Sequence, residues 1–363
     1  MTVPGRSAAP PPAFVAALAA VTTATHPEDL FAADLTAAAR RYRRLARLLH
    51  PDTAPPAHRA EAAAAFRALA QLWELHQCGG APPEREPALT TSRYHYLLGE
   101  PVTTGDLAVL RAATARRLGP GPVPPVREVL LKIPGAPQDN DLMEREAAAL
   151  ARLAEHGDPR LHPYAPTLLE SFRHQDVGAP ATRPRRINAL VRLDGFHPLT
   201  AVARAFPAGL DARDAAWIWR RLLVALGYAH RAGVRHGAVL PEHILIHPEQ
   251  HGLVLVDWCY ATVGEHQPAP ALVERHRSWY PPEVAARRPV TEATDLHLAA
   301  RCLEHLMGGQ APKQLRSFIA GCTLPAEARR PHDAWRLLAE LDALLEGLYG
   351  PRTFRPLHLP QPA

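Results

Sequence analysis

The chain has few cysteines, no long apolar run and only a small excess of positive charge. Its 363 residues include four cysteines, and none forms a C-x-x-C pair or has a spacing typical of metal ligands. We therefore expect reduced thiols and a cytoplasmic location. The apolar run at residues 14–21 is too short to span a bilayer. Prolines at 10–12 directly precede this run and argue against a signal peptide, so we expect no export and no membrane association.

The charge balance also limits the kinds of partner. The chain has 41 basic and 36 acidic residues, a net charge of +5, which gives no strong reason to expect a nucleic acid. An apolar fraction of 47% and a charged fraction of 21% are ordinary for globular proteins. The length allows two or three domains with buried cores. The 39 prolines indicate a bacterial type of genomic composition more than disorder.

Composition changes along the chain and divides it into five segments. Residues 1–12 are small and proline-rich, and we expect them to be disordered. Residues 13–78 have the apolar period of helices, and a glycine and proline cluster opens a linker at 79–92. Residues 93–348 alternate short strands with long helices, and 349–363 form a proline-rich tail. The predicted fold class is α+β, with a helical module before a larger mixed one.

Apolar side chains in the helical module recur every three or four residues and predict two amphipathic helices. The first stripe is Leu35, Tyr42, Leu45, Ala46 and Leu49, and the second is Phe66, Leu69, Leu72, Trp73 and His76. The opposite face of the first helix carries Arg40, Arg41, Arg43, Arg44 and Arg47. Pro51 ends this helix, because proline disfavours helical geometry in the residue before it.

The sequence His50-Pro51-Asp52 lies in the loop between these helices. This antiparallel helix hairpin resembles a J-domain, the co-chaperone module that stimulates a DnaK-type chaperone ATPase. The resemblance implies that exposed arginines steer association with an acidic chaperone surface, while Asp52 disturbs a polar network inside the partner. The residues that would contact the chaperone are His50, Pro51, Asp52, Arg43, Arg44 and Arg47. Residues 28–31 match the first helix of that family only loosely.

Other interpretations of the basic helix remain open. Such a helix is often only a solvated face, and the hairpin could be a docking arm without a chaperone partner. A nucleic-acid site would need several basic stretches with aromatic residues between them. Only this helix and residues 183–186 are strongly basic, so we expect no nucleic acid.

The mixed module carries a series of ordered landmarks. A strand at 129–133 is apolar except for Lys132, and a helix with Met143 and Leu150 on its apolar face carries Glu146. Next come a strand at 188–193, a long helix at 217–231, and a strand at 253–256 that ends at Asp257.

This order of landmarks resembles the bilobal protein-kinase fold. The resemblance implies that Lys132 contacts the phosphates of ATP and pairs with Glu146, while Asp257 binds Mg²⁺. Further landmarks of that fold are Glu283, Asp295 and Arg330. In the kinase family, the aspartate anchors the catalytic loop and the arginine pairs with the glutamate.

Residues 236–243 depart from the kinase catalytic loop. Ala238 replaces the aspartate that accepts the substrate proton, Leu240 replaces a lysine, and His243 replaces the asparagine that holds Mg²⁺. Imidazole is a poor ligand for Mg²⁺, and phosphoryl transfer is mostly positioning and electrostatics. We therefore expect a pseudokinase with no catalytic residues.

Nucleotide binding is a separate question with two answers left open. Lys132, Glu146 and Asp257 could hold ATP with Mg²⁺, or the Lys132–Glu146 pair could be purely structural. Residues 98–106 make a poor glycine loop, because the G-x-G-x-x-G spacing is absent and Pro101 stands where backbone amides should approach phosphate.

Histidines and tryptophans in the mixed module allow two smaller predictions. His243, His247 and His251 are four residues apart, but an intervening proline argues against a helix, so we expect surface or loop histidines and no zinc site. Trp217 and Trp219 lie two apart on a helix, so we expect only one of them in the core.

The sequence thus favours a co-chaperone adaptor. The pseudokinase would bind a protein client or partner, and the J-domain would recruit a DnaK-type chaperone. The leading alternative is an ATP-binding transferase of kinase fold, serine/threonine kinase-like or unorthodox, that uses Lys132 and Asp257.

Overall fold

The structure is a computed structural model that describes residues 10–32, 34–50, 54–77, 88–105, 107–119, 126–175, 184–264 and 267–360. The chain divides into two compact units, residues 1–86 and 87–363. Several predictions fall outside the described residues. They concern the expected disorder of residues 1–9, the loop residues Pro51 and Asp52, and residues 78–87, which include most of the expected linker.

The described part of the first unit is helical. Its helices are α1 Pro12–Thr23, α2 Leu35–Leu48 and α3 Arg59–Gln77. Phe14, Ala17 and Val21 recur on one side of α1 and are buried with leucines of α2 and α3. This burial stabilises the helices, since isolated helices of this length are marginal in water. Residues 28–31, where the sequence loosely matches a first helix, contain only part of a 3₁₀ turn at Pro27–Asp29.

Aromatic contacts join α2 to α3 in antiparallel fashion. Tyr42 stacks on Trp73 with ring centroids 4.9 Å apart, and His50 meets Phe66 edge-on at 5.5 Å. Tyr42 of α2 thus contacts the later aromatic residue of α3, and His50, just after α2, contacts the earlier one. This packing leaves one face of α2 in solvent. The exposed arginines of that face are Arg40, Arg41, Arg43, Arg44 and Arg47.

The second unit begins with an antiparallel sheet. Its strands are β1 Ala88–Thr90, β2 Tyr94–Thr104, β3 Ala108–Arg117, β4 Arg127–Pro134, β5 Leu168–His174 and β6 Arg185–Val191. Within the described residues the strand order is β1-β2-β3-β4-β6-β5. β1 lies in the segment expected to be a linker, and its Leu89 pairs with Tyr96 of β2. Three residues are too few to show the alternation of a strand.

The helix α4, Asn140–His156, lies between β4 and β5 in sequence and packs on β5 and β6. Met143, Leu150 and Leu153 are buried, as the apolar period of this helix predicts. Lys132 lies in β4 opposite Asn188 of β6, in the interior of the sheet.

The rest of the second unit is mainly helical. Its helices are α5 Leu199–Ala205, α6 Ala212–Arg231, α7 Pro282–Ala285, α8 Glu292–Met307, α9 Lys313–Cys322 and α10 Ala334–Tyr349. Its short strands are β7 His197–Pro198, β8 Val234–Arg235, β9 Ile244–His247, β10 Gly252–Leu255 and β11 Thr262–Val263. Among the described residues, no helix has both the length and the apolarity needed to cross a bilayer.

α6 is the central helix of this part and is covered on more than one side. It contacts α8, α10 and β10. Trp217 is 6% exposed and Trp219 is 1% exposed. The expectation that only one of them lies in the core was wrong, because it assumed that the helix has a solvent face at that point.

The segment after α10 packs on the helical part. Leu357 is buried in the main core, and Arg355 donates to Asp214 of α6 at 3.1 Å. The described residues of the predicted tail, 349–360, therefore lie against the second unit.

Candidate functional site

Lys132 of β4 is the centre of the candidate site. Its Nζ donates to Oε1 of Glu146 at 2.9 Å, so the predicted ion pair is present. Glu146 is fully buried on α4, and its other carboxylate oxygen accepts from Nδ2 of Asn188 at 2.9 Å. Asn188 also donates to the carbonyl of Met143, so this residue of β6 holds α4 against the sheet beside Glu146.

Asp257 follows β10 and reaches the same lysine. Its Oδ1 accepts from Nζ of Lys132 at 2.5 Å, and its Oδ2 lies 3.0 Å from Nε2 of His243. Its backbone is left-handed, with φ of 65°, a conformation that aspartate tolerates better than most residues. The short pairing of β9 with β10 brings residues 243 and 257 together.

Two of the three histidines spaced by four residues lie in loops, as the sequence predicts. His243 ends the 3₁₀ turn Pro241–His243 and His251 lies in the turn between β9 and β10, and both are buried. Nδ1 of His243 lies 2.8 Å from the carbonyl oxygen of Ala238, which the ring contacts on the side opposite Asp257. The imidazole therefore links the loop at 238 to the carboxylate at 257.

Charges in this cluster shift each other's protonation. Burial alone would raise the pKa of Asp257, but the charges of Lys132 and His243 outweigh it and hold that pKa well below its usual range. Burial opposes the charged form of His243 too, and Asp257 nevertheless raises the pKa of the imidazole. Lys132 likewise has a pKa well above its usual value, since Asp257 and Cys259 outweigh its burial.

The donor set fits Mg²⁺ poorly. That ion requires near-octahedral oxygen ligands, whereas one oxygen of Asp257 contacts an ammonium and the other an imidazole. Glu146, Asp257 and Cys259 do bring ligand atoms within 4.8 Å of one another. However, Nζ of Lys132 contacts each of them, including Sγ of Cys259 at 3.1 Å. The lysine ammonium supplies the positive charge at this place.

A buried carboxylate holds the backbone of the loop at 236–243. Asp295 accepts from the backbone amides of His236 and Gly237, both at 2.8 Å. Burial opposes ionisation of Asp295, but hydrogen bonding and the charge of His230 lower its pKa overall. Ala238 and Leu240 are fully buried in the apolar core. The loop keeps its backbone anchor and offers no carboxylate at 238.

Two further contacts are structural, and the first of them was predicted from the sequence. Arg330 donates to the buried carboxylate of Glu283 at 2.5 Å, so the predicted pair is present. Thr294 donates to the same oxygen at 3.2 Å. These contacts tie α7 and α8 to the segment before α10.

Most of residues 98–106, expected to make a poor glycine loop, lie in the strand β2. Gly99 and Pro101 lie within β2, whose register with β3 shifts on either side of Pro101. Nε of Arg111 donates to the carbonyl oxygen of Gly99 at 2.7 Å. Asp106 lies outside the described residues.

Asn188 and Cys259 were missed by the sequence analysis. Asn188 is fully buried and is the one polar residue among 187–191. That interruption of an apolar strand was a signal comparable to the one given by Lys132. Cys259 gave no signal, because only the fold brings it to Nζ of Lys132.

In the first unit, the predicted chaperone-contacting arginines lie together on α2. Arg43, Arg44 and Arg47 line a surface groove with Arg40. His50 lies just after α2 and is exposed, whereas Pro51 and Asp52 lie outside the described residues.

Comparisons with known proteins identify the fold alone. No protein-family model and no curated protein matches this sequence. Among solved structures, that of vaccinia related kinase 3 is similar, with a TM-score of 0.54 and 16% identity. The match covers 72% of this chain and 91% of that one. The chain therefore contains a protein-kinase-like α+β fold, and the J-domain remains a prediction.

Proposed function

We propose that this chain is a co-chaperone adaptor whose kinase-like unit binds a protein partner and does not transfer phosphate. The observation that carries this proposal is the 3.0 Å contact between His243 and Asp257. In the kinase resemblance, Mg²⁺ would lie between these two positions. Ala238 supports the same proposal, because phosphoryl transfer relies on a bound metal and on a positioned acceptor for the substrate proton, and alanine has no such acceptor.

The first unit supplies the recruiting half of the proposal. α2 and α3 form an antiparallel hairpin, and the exposed face of α2 presents a row of arginines. Such a row favours fast association with an acidic surface, which is the surface that the J-domain resemblance assigns to a DnaK-type chaperone. The roles of Pro51 and Asp52 rest on that resemblance.

Stimulation of a DnaK-type chaperone ATPase by the full chain tests this half directly. His50→Gln and Asp52→Asn should abolish stimulation without changing the helical circular dichroism signal. Glu61→Gln is the matched control, because it removes a carboxylate from an exposed site on α3. Equal stimulation by the wild type, Asp52→Asn and Glu61→Gln would contradict the J-domain assignment.

Charge reversal of Arg43, Arg44 and Arg47 to Glu should slow association with the chaperone. The defect should be largest at low salt, where charge steering is screened least. Reversal of Arg59, Arg67 and Arg117, which are exposed outside α2, changes the net charge by the same amount and is the control. An equal loss of rate in both variants would show that only total charge matters.

A phosphotransferase is the second candidate function. It is favoured by the Lys132–Glu146 contact of 2.9 Å, which kinases use to orient ATP phosphates. Phosphate transfer from ATP by the wild type that is lost in Lys132→Ala and in Asp257→Ala would establish this candidate. It would contradict the proposal that the kinase-like unit does not transfer phosphate.

A further inference from the structure

A groove of about 440 Å³ lies between the start of α1 and one face of α2. We call it the α1–α2 groove. Its lining residues are Ala13 of α1 together with Arg40, Arg43, Arg44, Arg47 and Leu48. The arginines stand at i, i+3, i+4 and i+7, so their side chains share one face of the helix.

The groove carries a concentrated positive charge. None of its lining residues is acidic. Within the described part of the chain, no carboxylate pairs with Arg40 or Arg44, while Nε of Arg43 donates to the carbonyl of Ala39. Like charges four residues apart destabilise a helix, so Arg40 and Arg44 retain a repulsion that a bound anion would relieve.

The start of α1 adds a second, independent source of positive potential. α1 begins at Pro12, and its N-cap residue Pro11 makes no side-chain hydrogen bond. The first turn contains no acidic residue. Pro11 and Pro12 have no N–H, and the amides of Phe14 and Val15 donate to the carbonyl of Pro11, so the amide left in this turn is that of Ala13. The helix dipole makes its surroundings favourable for anions. Ala13 lies in this first turn and lines the groove.

We propose that the α1–α2 groove is a binding site for a multivalent phosphate anion. Guanidinium groups match phosphate oxygens through paired N–H donors, and the start of α1 adds the amide of Ala13 and the positive end of the helix dipole. Four arginines along one face suit several linked phosphates better than a single monovalent ion.

The site would also regulate the proposed function, and this part of the inference rests on that function. Arg43, Arg44 and Arg47 belong both to the groove and to the proposed chaperone contact. A bound phosphate chain would therefore compete with the chaperone. Binding of the phosphate itself does not depend on the chaperone assignment.

Titration calorimetry of the full chain with sodium tripolyphosphate at constant ionic strength tests the site. Tripolyphosphate lacks a base and so does not probe the kinase-like unit as a nucleotide. We expect saturable binding and slowed hydrogen exchange in α1 and α2. Arg40→Gln with Arg44→Gln should weaken binding about tenfold or more, while leaving the unliganded chain at least as stable towards urea. The matched control is Arg59→Gln with Arg67→Gln, both exposed on α3.

The outcomes distinguish a free phosphate ligand from a lipid headgroup. They also distinguish failure of the phosphate site from failure of the adaptor function. Saturable tripolyphosphate binding supports a free phosphate ligand. Binding only to phosphatidylcholine vesicles that contain phosphatidic acid supports a lipid headgroup. No binding to either, or equal weakening by both double variants, would overturn the site. Loss of chaperone stimulation with tripolyphosphate binding intact would instead remove only the adaptor function.

Discussion

At the residue scale, the carboxylate of Asp257 has two cationic neighbours from its own chain. Lys132 and His243 contact its two oxygens at 2.5 and 3.0 Å. Bringing such charges out of water is unfavourable, and the attraction between them offsets this only while all partners are present. The cluster therefore stabilises the unit as a set, and a single deletion leaves an unpaired charge.

Lys132 allows a sharp test, because the sequence has only one other lysine, Lys313. Lys132→Met should lower the free energy of unfolding by about 3–5 kcal/mol, since it leaves the carboxylates of Glu146 and Asp257 without their ammonium. Urea unfolding measures this. Lys313→Met makes the same chemical change at an exposed site and should alter stability by about 0.5 kcal/mol or less. A loss below 1 kcal/mol for Lys132→Met, in the range of surface changes, would contradict a cluster that stabilises as a set.

His297 makes stability depend on pH. Burial, with the nearby charge of Arg330, lowers the pKa of His297 to about 4. In the unfolded chain its pKa is about 6.5. The unfolded state therefore binds this proton more readily, and the stability that neutral His297 contributes is lost as the pH falls from about 6.5 towards 4.

His297→Gln should reduce this acid sensitivity. Between pH 7 and pH 4, the wild type should lose roughly 2–3 kcal/mol more than the variant in urea unfolding. His305→Gln is the control, because His305 is exposed on the same helix. Parallel pH profiles for the wild type and His297→Gln would contradict the assignment of a neutral buried imidazole.

At the scale of elements, the sequence predicted those segments whose apolar period is long enough to read. The strand around Lys132 and the helix of Glu146 were predicted because burial leaves a regular pattern in them. β1 was missed because it has three residues, and α6 was misjudged because it is buried on several sides. The contact of His243 with Asp257 was not predictable, since only the turn between β9 and β10 creates it.

The loop at 236–243 depends on a glycine. Gly237 has φ of 73°, and a Cβ there would lie 2.6 Å from the carbonyl oxygen of Tyr260. Gly237→Ala should therefore lower the free energy of unfolding by roughly 2–4 kcal/mol, from backbone strain and overlap together. Gly264 has φ of 87°, but a Cβ added there would meet no atom within 4 Å. Gly264→Ala should therefore lower the free energy of unfolding by only about 1 kcal/mol, measured by urea unfolding. Equal losses would show that the close approach to Tyr260 contributes nothing.

At the scale of the whole molecule, the chain joins a small helical unit to a kinase-like unit. Each unit has its own buried core among the described residues. We propose recruitment for the first unit and partner binding for the second. The central point of this proposal is that side chains of the protein itself contact both oxygens of Asp257, where the kinase resemblance would place Mg²⁺.

The most direct test is the effect of Mg²⁺ on stabilisation by ATP, measured as the unfolding midpoint of the kinase-like unit within the full chain. A ligand at 100 times its Kd stabilises by about 2.7 kcal/mol. Because Lys132 and His243 already contact both oxygens of Asp257, we expect the ATP effect to be the same in excess Mg²⁺ and in EDTA. Stabilisation that requires Mg²⁺, and that disappears in Asp257→Asn, would contradict the account.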